Sequence, residues 1–393
     1  MSHTFNFQYS APTRIHFGVG KISGLSTAIP LDERVLVLYG GGSIKKNGTY
    51  DAVISSLSGH DIREFGGVEA NPEYETLTRA VSLVRDQGIS LILAVGGGSV
   101  IDAAKYIAAA SLYGGDGWDL LDGSAPVVEA LSVGVVLTTA ATGSETNAYA
   151  VISDKARGLK LALTSDLVVP KFAIMDPQVL SSLPRRQLAN GLADAFVHCC
   201  EQYLTYPVGA PIQDGYAEAV MRTLVSLAND IDQVGTLEWN QNMMWAANQA
   251  LSGILGLGVP GDFASHVICR SLTVFWGIDH ARTLTIIQPA LLRESLAEKA
   301  GKLAMLGENV FGMERHTPLQ VVERIEDFYR TLGLPLSLRD AGVTDGLAVP
   351  RILASLEAEG ITSLGENGIF TPARIRRIAE ACVEGSREGG MRT

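Results

Sequence analysis

The sequence predicts an α/β domain built on a parallel sheet, followed by a mostly helical domain. Three observations carry this. First, the first half contains short apolar runs, "RVLVLYG", "SLILAV", "VGVVLTT" and "FAIMD". They are continuous rather than alternating, as expected of strands covered on both faces. Second, helix-like stretches separate them. In "NPEYETLTRAVSLVRDQG", Asn71-Pro72 opens a helix and Gly88 closes it. Strand–helix alternation of this kind gives a parallel sheet with helices packed on it. Third, past Leu183-Pro184 strand-like runs become scarce, and helical periodicity takes over in "RRQLANGLADAFVHCCEQYL", "DGYAEAVMRTLVSLANDI" and "PLQVVERIEDFYRTLG". The boundary falls near residue 180, giving an α/β domain over 1–180 and a helical domain over 181–393, with a ligand expected in the cleft between them.

Length and composition agree. A chain of 393 residues suits two domains, and 47% hydrophobic residues with 42 glycines suit a large core with tight turns. The net charge of −11 argues against nucleic acid or an anionic membrane as a partner. The four cysteines, Cys199, Cys200, Cys269 and Cys382, form neither a C-x-x-C pair nor a disulfide framework. "MSHTFNFQYS" lacks the basic-then-apolar pattern of a signal peptide, and the apolar runs are too short to span a bilayer. The expectation is a soluble cytoplasmic protein.

Two glycine-rich loops follow strand-like runs. In "VGGGSVIDAAKYIAAAS" three glycines lie between a strand and a helix, and Ser99 adds a hydroxyl. Small residues let a backbone approach a phosphate, and the helix N-terminus supplies free N–H groups, so the loop suits a pyrophosphate. A tight turn needing glycine for positive φ is the plainer alternative. "LYGGGSIKK" repeats the pattern. Dinucleotide folds commonly place an acid near an early strand end to bind the adenosine ribose. Here Gly40 to Gly42, Ser43, Lys45 and Lys46 stand instead. Cations with no competing carboxylate favour NADP over NAD, unless the lysines are ordinary solvated charges. "TTAATGSETNA" supplies Thr138, Thr139, Thr142, Ser144 and Asn147, either as ribose, phosphate or amide contacts or as a polar turn.

In the helical half, Asp194 and His198 stand at i and i+4, on one helix face. They can chelate one divalent ion or simply hydrogen-bond each other. His266 and His280 lie in apolar, aromatic-rich sequence of the same half. Of seven histidines, His3, His16, His60 and His316 occupy stretches that read as peripheral. One oxygen and three nitrogens suit Zn²⁺ or Fe²⁺ and suit Ca²⁺ or Mg²⁺ poorly.

With "GGGSVID" (96–102), "TGSE" (142–145), "DAFVH" (194–198) and the His266/His280 pair ending in "GIDHARTL", the chain resembles the metal-dependent, "iron-containing" (group III) alcohol dehydrogenases over essentially its whole length. "YGGGSIKK", "FGGVEANP" and "LGEN" (364–367) resemble most the branch of NADPH-dependent aldehyde reductases and butanol dehydrogenases. The resemblance implies a Rossmann-like dinucleotide domain and a helical domain in a dehydroquinate synthase-like architecture. It implies metal ligation by Asp194, His198, His266 and His280, and NADP(H) contacts from Gly41, Gly42, Ser43, Asn71, Gly97, Gly98, Ser99, Asp102, Thr138, Thr142, Asn147 and Lys160. Its members are commonly homodimers or larger homo-oligomers. The implied reaction passes a hydride between NADP(H) and an aldehyde/alcohol pair whose oxygen the metal polarises, with His266, His280 and Arg270 nearest the chemistry.

One position departs from the pattern. Four residues after His266 the family typically carries another histidine, often followed by Glu; here the pair is Arg270-Ser271. Arginine holds its proton at neutral pH and cannot shuttle one. Arg270 is expected to clamp an anionic substrate, to contact the cofactor, or to turn outward onto a surface acid. The substitution also keeps two other functions in view: a non-catalytic or altered-specificity relative, and a metal-dependent lyase of the dehydroquinate synthase type. The lyase would need a cation-lined cleft, and the helical half shows no lysine-rich motif for one.

Overall fold

The computed structural model describes residues 5–384. Among the described residues eight strands form: β1 (Arg14–Phe17), β2 (Arg34–Tyr39), β3 (Asp61–Phe65), β4 (Leu91–Gly96), β5 (Ser132–Leu137), β6 (Tyr149–Asp154), β7 (Leu159–Thr164) and β8 (Phe172–Met175). Six make one sheet in the order β1-β8-β5-β4-β2-β3, and every neighbouring pair is parallel. The four apolar runs are its inner strands β2, β4, β5 and β8. Val35, Val37, Leu91, Leu93, Val95, Val136 and Ile174 are almost entirely buried in a core shared with Leu25, Val53 and Leu57. Burying each such side chain stabilises the fold by about 1.5–3 kcal/mol.

The edge strands β1 and β3, "RIHF" and "DIREF", are only half buried. β6 and β7 pair antiparallel as a separate hairpin. The helix Tyr74–Gln87 ends at Gly88, which is left-handed at φ 60° and fits the expected stop.

The chain divides into two compact units. The first comprises Ser10–Leu188 and Gln233–Ser252; the second comprises the segment through Tyr9, Ala189–Asp232 and the chain from Gly253 onward. This division differs from a single boundary near residue 180 in the placement of the segment through Tyr9 and of the stretch Gln233–Ser252, which carries the helix Leu237–Ala250. That helix joins the sheet unit for a physical reason. The Asn248 amide donates to Glu145 (2.8 Å) and to the Thr146 hydroxyl (3.0 Å), and Trp245 sets its edge on Phe17 at 5.7 Å.

The other unit is helical, with Pro211–Asn229, Ala264–Trp276, His280–Glu294, Leu296–Asn309, Pro318–Thr331 and Ala348–Ala358 among its helices. The helix Arg185–Tyr203 begins at the boundary between the units and runs into this one. All four cysteines are buried, and among the described residues none forms a disulfide. Among the described residues no helix is long and apolar enough to cross a membrane.

Candidate functional site

Three stretches of the helical unit bring the expected metal ligands together. Asp194 and His198 project from one face of the helix Arg185–Tyr203. His266 sits in the first turn of the helix Ala264–Trp276, which Gly277 ends in a left-handed cap at φ 65°. The chain then reverses through Ile278-Asp279, so that His280 opens the next helix, His280–Glu294. The Asn190 amide donates to Asp279 at 3.1 Å and ties that turn to the Asp194 helix.

Asp194 Oδ1 lies 3.8 Å from His198 Nε2, 3.8 Å from His266 Nε2 and 3.7 Å from His280 Nε2. One ligand atom each from Asp194, His198 and His266 falls within 4.8 Å of the others. The His198 and His266 rings stack at 4.6 Å.

These separations are too long for hydrogen bonds. Asp194 Oδ1 and His266 Nε2 are buried without a hydrogen-bond partner among the described residues. Buried polar atoms are ordinarily paired, so a carboxylate oxygen and an imidazole nitrogen facing each other without hydrogen bonds suit joint ligation of a cation. An oxygen-and-imidazole set of this size fits a divalent transition metal.

The electrostatics agree. Burial works against the charge on Asp194, but the three imidazoles around it hold its carboxyl well below the usual range. Burial lowers His198 to about 4, so this ring is neutral and ready to ligate. Burial also opposes charge on His266, yet the Glu201 and Asp194 carboxylates outweigh it and raise that imidazole to about 9.

Glu201 was not anticipated from the sequence. It is buried one turn beyond His198, and its carboxylate accepts both the His266 Nδ1–H and, at 3.2 Å, the His266 backbone N–H. Fixing one proton on Nδ1 makes Nε2 the ring nitrogen that a metal can take, and aims it at Asp194. Its position, i+7 from Asp194, was the available signal; an acid on a helix ordinarily reads as surface.

Arg270 stands one turn after His266 and meets Glu359, Nη1 to Oε2 at 3.4 Å. Glu359 is not an exposed acid: its side chain is 5% exposed.

In the sheet unit, the expected cofactor residues cluster where strands end. β2, β4 and β5 pair in register, so Tyr39 lies beside Val95 and Gly96 beside Leu137. The loops carrying Gly41-Gly42-Ser43, Gly97-Gly98-Ser99 and Thr138 therefore leave one edge of the sheet together, the carboxyl edge where α/β sheets bind ligands. The helix Gly98–Ala110 starts directly after Gly97.

None of Gly96 to Gly98 has positive φ. Their requirement is close packing instead: a Cβ on Gly98 would lie 2.6 Å from Thr142 Oγ1, and one on Gly97 3.0 Å from Thr139 Cβ. Gly42 does need the left-handed region, at φ 90°. The Ser99 hydroxyl donates to the Ala70 carbonyl, and neighbouring Asn71 accepts from Lys160 Nζ at 3.0 Å.

Asp102 and Asn147 are placed deeper. Asp102 accepts from the Ser144 hydroxyl at 2.7 Å and the Val151 N–H at 3.0 Å. Fully buried Lys105 donates to Ser144, Asn147 and the Tyr149 carbonyl. These two cofactor candidates thus brace the hairpin β6–β7 against the phosphate-loop helix. Both lysines after β2 are exposed, and Lys45 lies over the Tyr39 and Tyr50 rings and 3.6 Å from Glu64.

Comparison with known proteins places this geometry in a family. Residues 12–177 match the model of iron-containing alcohol dehydrogenases, and residues 188–362 match the C-terminal model of the Fe-containing alcohol dehydrogenase family. The NADPH-dependent aldehyde reductase YqhD of Escherichia coli is 47% identical, over 96% of this chain and 99% of its own. NADH-dependent butanol dehydrogenase A of Clostridium acetobutylicum is 35% identical, over 86% and 90%. Among solved structures, E. coli YqhD superposes with a TM-score of 0.94 at 46% identity, covering 97% of this chain and 100% of that one. The Thermotoga maritima NADH-dependent butanol dehydrogenase A gives 0.91 at 32%, covering 98% and 100%. The chain belongs to the iron-containing alcohol dehydrogenase family.

Proposed function

We propose that this enzyme interconverts aldehydes and alcohols with NADP(H), acting on short-chain or functionalised aldehydes. The observation that carries the reading is the group of Asp194, His198, His266 and His280, with a carboxylate oxygen and an imidazole nitrogen buried and unpaired at its centre. These four residues would hold one divalent metal, Zn²⁺ or Fe²⁺. When bound, such an ion supplies Lewis acidity to a carbonyl or alcohol oxygen, and the nicotinamide supplies the hydride.

The remaining work falls to the chain. Glu201 holds the proton on His266 Nδ1 and keeps Nε2 directed inward. Gly97, Gly98 and the following helix N-terminus present backbone N–H groups to a pyrophosphate. Lys46 and Ser43 offer a cation and a donor to a 2′-phosphate beyond β2. A guanidinium is a permanent cation and does not shuttle protons, so the proton for the alcohol product comes from water or the cofactor ribose. The enzyme acts in the cytoplasm as a homodimer or larger homo-oligomer, without nucleic-acid or membrane partners.

The test combines metal analysis with NADPH oxidation over a panel of small aldehydes, using protein reconstituted with Zn²⁺ or Fe²⁺. Metal-dependent NADPH oxidation is expected. Failure to bind either metal, together with no turnover, would return the chain to the class of non-catalytic relatives. Equal kcat/KM with NADH and NADPH would remove the cofactor preference. A metal-dependent lyase is disfavoured by the metal-side residues: the helix stripe beside His266 carries one cation, Arg270, and that cation already has a counter-ion.

A further inference from the structure

The counter-ion of Arg270 bears on which aldehydes the enzyme takes. In the helix Ala264–Trp276, Ser265, Ile268, Cys269, Ser271 and Leu272 are buried, while His266, Arg270 and Val274 form a half-open stripe at i, i+4 and i+8. The stripe that bears a metal-ligand histidine therefore bears the arginine one turn further on. Arg270 follows His266 by one turn, about 5–6 Å between Cβ atoms, a span that the chain of a short aldehyde bound beside His266 can cover.

A guanidinium is a permanent cation, so beside Arg270 either a built-in acid or an incoming anion must balance the charge. Glu359 is that acid. It directly follows the helix Ala348–Ala358, where the helix dipole disfavours a carboxylate. Burial pushes its carboxyl up, and the Arg270 guanidinium pulls it back down. The contact at 3.4 Å joins side chains 20% and 5% exposed, which leaves little room for solvent to replace either partner.

The geometry points to Glu359 as a specificity-determining residue: by neutralising Arg270 beside His266, it makes the enzyme select uncharged aldehydes over aldehydes that carry a carboxylate. This rests on the aldehyde-reductase reading above. A carboxylate-bearing substrate gains Arg270 only by displacing Glu359, which strands a carboxylate with no countercharge in a mostly buried position. A neutral aldehyde meets a neutral surface and displaces nothing.

The test uses metal-loaded protein, NADPH, and two substrates of matched chain length, butanal and 4-oxobutanoate, with Glu359→Gln, Arg270→Gln and the double variant. Glu359→Gln frees the guanidinium. It should raise the ratio of kcat/KM for 4-oxobutanoate over butanal by about tenfold or more, the value of one charge-assisted contact. Arg270→Gln leaves Glu359 alone and should lower that ratio. The double variant should return it to near the wild-type value. A general loss of packing would depress both substrates together and leave the ratio still.

Succinate binding, measured by calorimetry on the same proteins, reads the site without turnover and should tighten in Glu359→Gln alone. A ratio and a succinate affinity that stay within twofold in a folded, metal-loaded Glu359→Gln protein overturn the inference. So does an equal rise in the double variant. If Glu359→Gln does not fold, an unchanged ratio in Arg270→Gln overturns it instead. Wild-type protein that reduces neither aldehyde overturns the functional reading, and succinate binding then still decides whether Glu359 masks Arg270.

Discussion

The metal centre and the dinucleotide loops are built on opposite principles. The metal centre is made of side chains from three separate stretches, and its defining feature is what lacks a partner: a carboxylate oxygen and an imidazole nitrogen buried without hydrogen bonds. In the dinucleotide loops most polar side chains already have partners. Asp102 is held by Ser144 and Val151, Asn147 by Lys105, and Asn71 by Lys160. What those loops offer is shape, with glycines pressed against Thr139 and Thr142 at the start of a helix. One site is therefore defined by unsatisfied chemistry and the other by backbone room. Substitutions should separate them cleanly.

The largest effect belongs to Asp194, the one carboxylate among three imidazoles. Asp194→Asn removes the charge that balances the cation and should abolish stoichiometric metal binding. Activity should fall about 10³-fold or more, the scale on which losing a principal electrostatic element slows catalysis. NADPH binding, followed by fluorescence, should persist. Loss of both together would break the separation between the sites.

Next comes Glu201. Glu201→Gln preserves size and a hydrogen-bond acceptor for His266 Nδ1–H but removes the charge, and it should weaken metal affinity about 10–100-fold. Metal titration checks this, and the d–d spectrum of the Co²⁺-loaded protein reads any change in ligand geometry. An unaltered affinity would make Glu201 a packing residue only.

The counterpart on the other side is Gly98→Ala. Its Cβ would fall 2.6 Å from Thr142 Oγ1 and 2.8 Å from Thr142 Cγ2, so the loop or the threonine must shift. Strain of about 1–3 kcal/mol should raise KM for NADPH by roughly tenfold. Metal stoichiometry should stay at the wild-type value. A fall in metal content would show that the loop does more than shape a nucleotide site.

The same contrast explains what could be read in the sequence. Inner strands β2, β4, β5 and β8 are covered on both faces, so their residues are uniformly apolar and announce themselves. Edge strands cannot be read that way: "DIREF" mixes charged with apolar side chains, because β3 lies at the sheet edge and none of its residues is fully buried. The allegiance of the helix Leu237–Ala250 could not be read either, because Asn248 and Trp245 attach it to residues about a hundred or more positions earlier, and periodicity carries no such information.

That Asp194, His198, His266 and His280 lie near one another was legible because few residue types ligate metals and the chain has only seven histidines. Glu201 and Glu359 were not. An acid becomes a partner to His266 or Arg270 only when tertiary packing buries it, and a single sequence does not report burial.

The smallest effect, and the finest test, is the pH dependence of the metal centre itself. In the metal-free protein His198 is neutral above about 4, but His266 keeps a proton up to about 9 because Glu201 and Asp194 outweigh the cost of burial. A metal must displace that proton to reach Nε2, so affinity should climb with pH, by up to about tenfold per unit between pH 6.5 and 9, then level off. Stability of the metal-free protein should move the other way. His266 has its folded-state value raised above the ordinary 6.5. Its contribution is therefore fully present below about pH 6.5 and is lost as pH rises through about 9. Titration of Zn²⁺ against a chelator, alongside melting curves of the metal-free protein, measures both trends. Glu201→Gln should flatten both, since it removes the carboxylate that holds the proton. Opposite pH trends for metal affinity and metal-free stability, both dependent on Glu201, are the signature of a histidine held charged until a metal takes its nitrogen. Parallel trends would mean that His266 is neutral in the metal-free site and that Glu201 orients the ring without charging it.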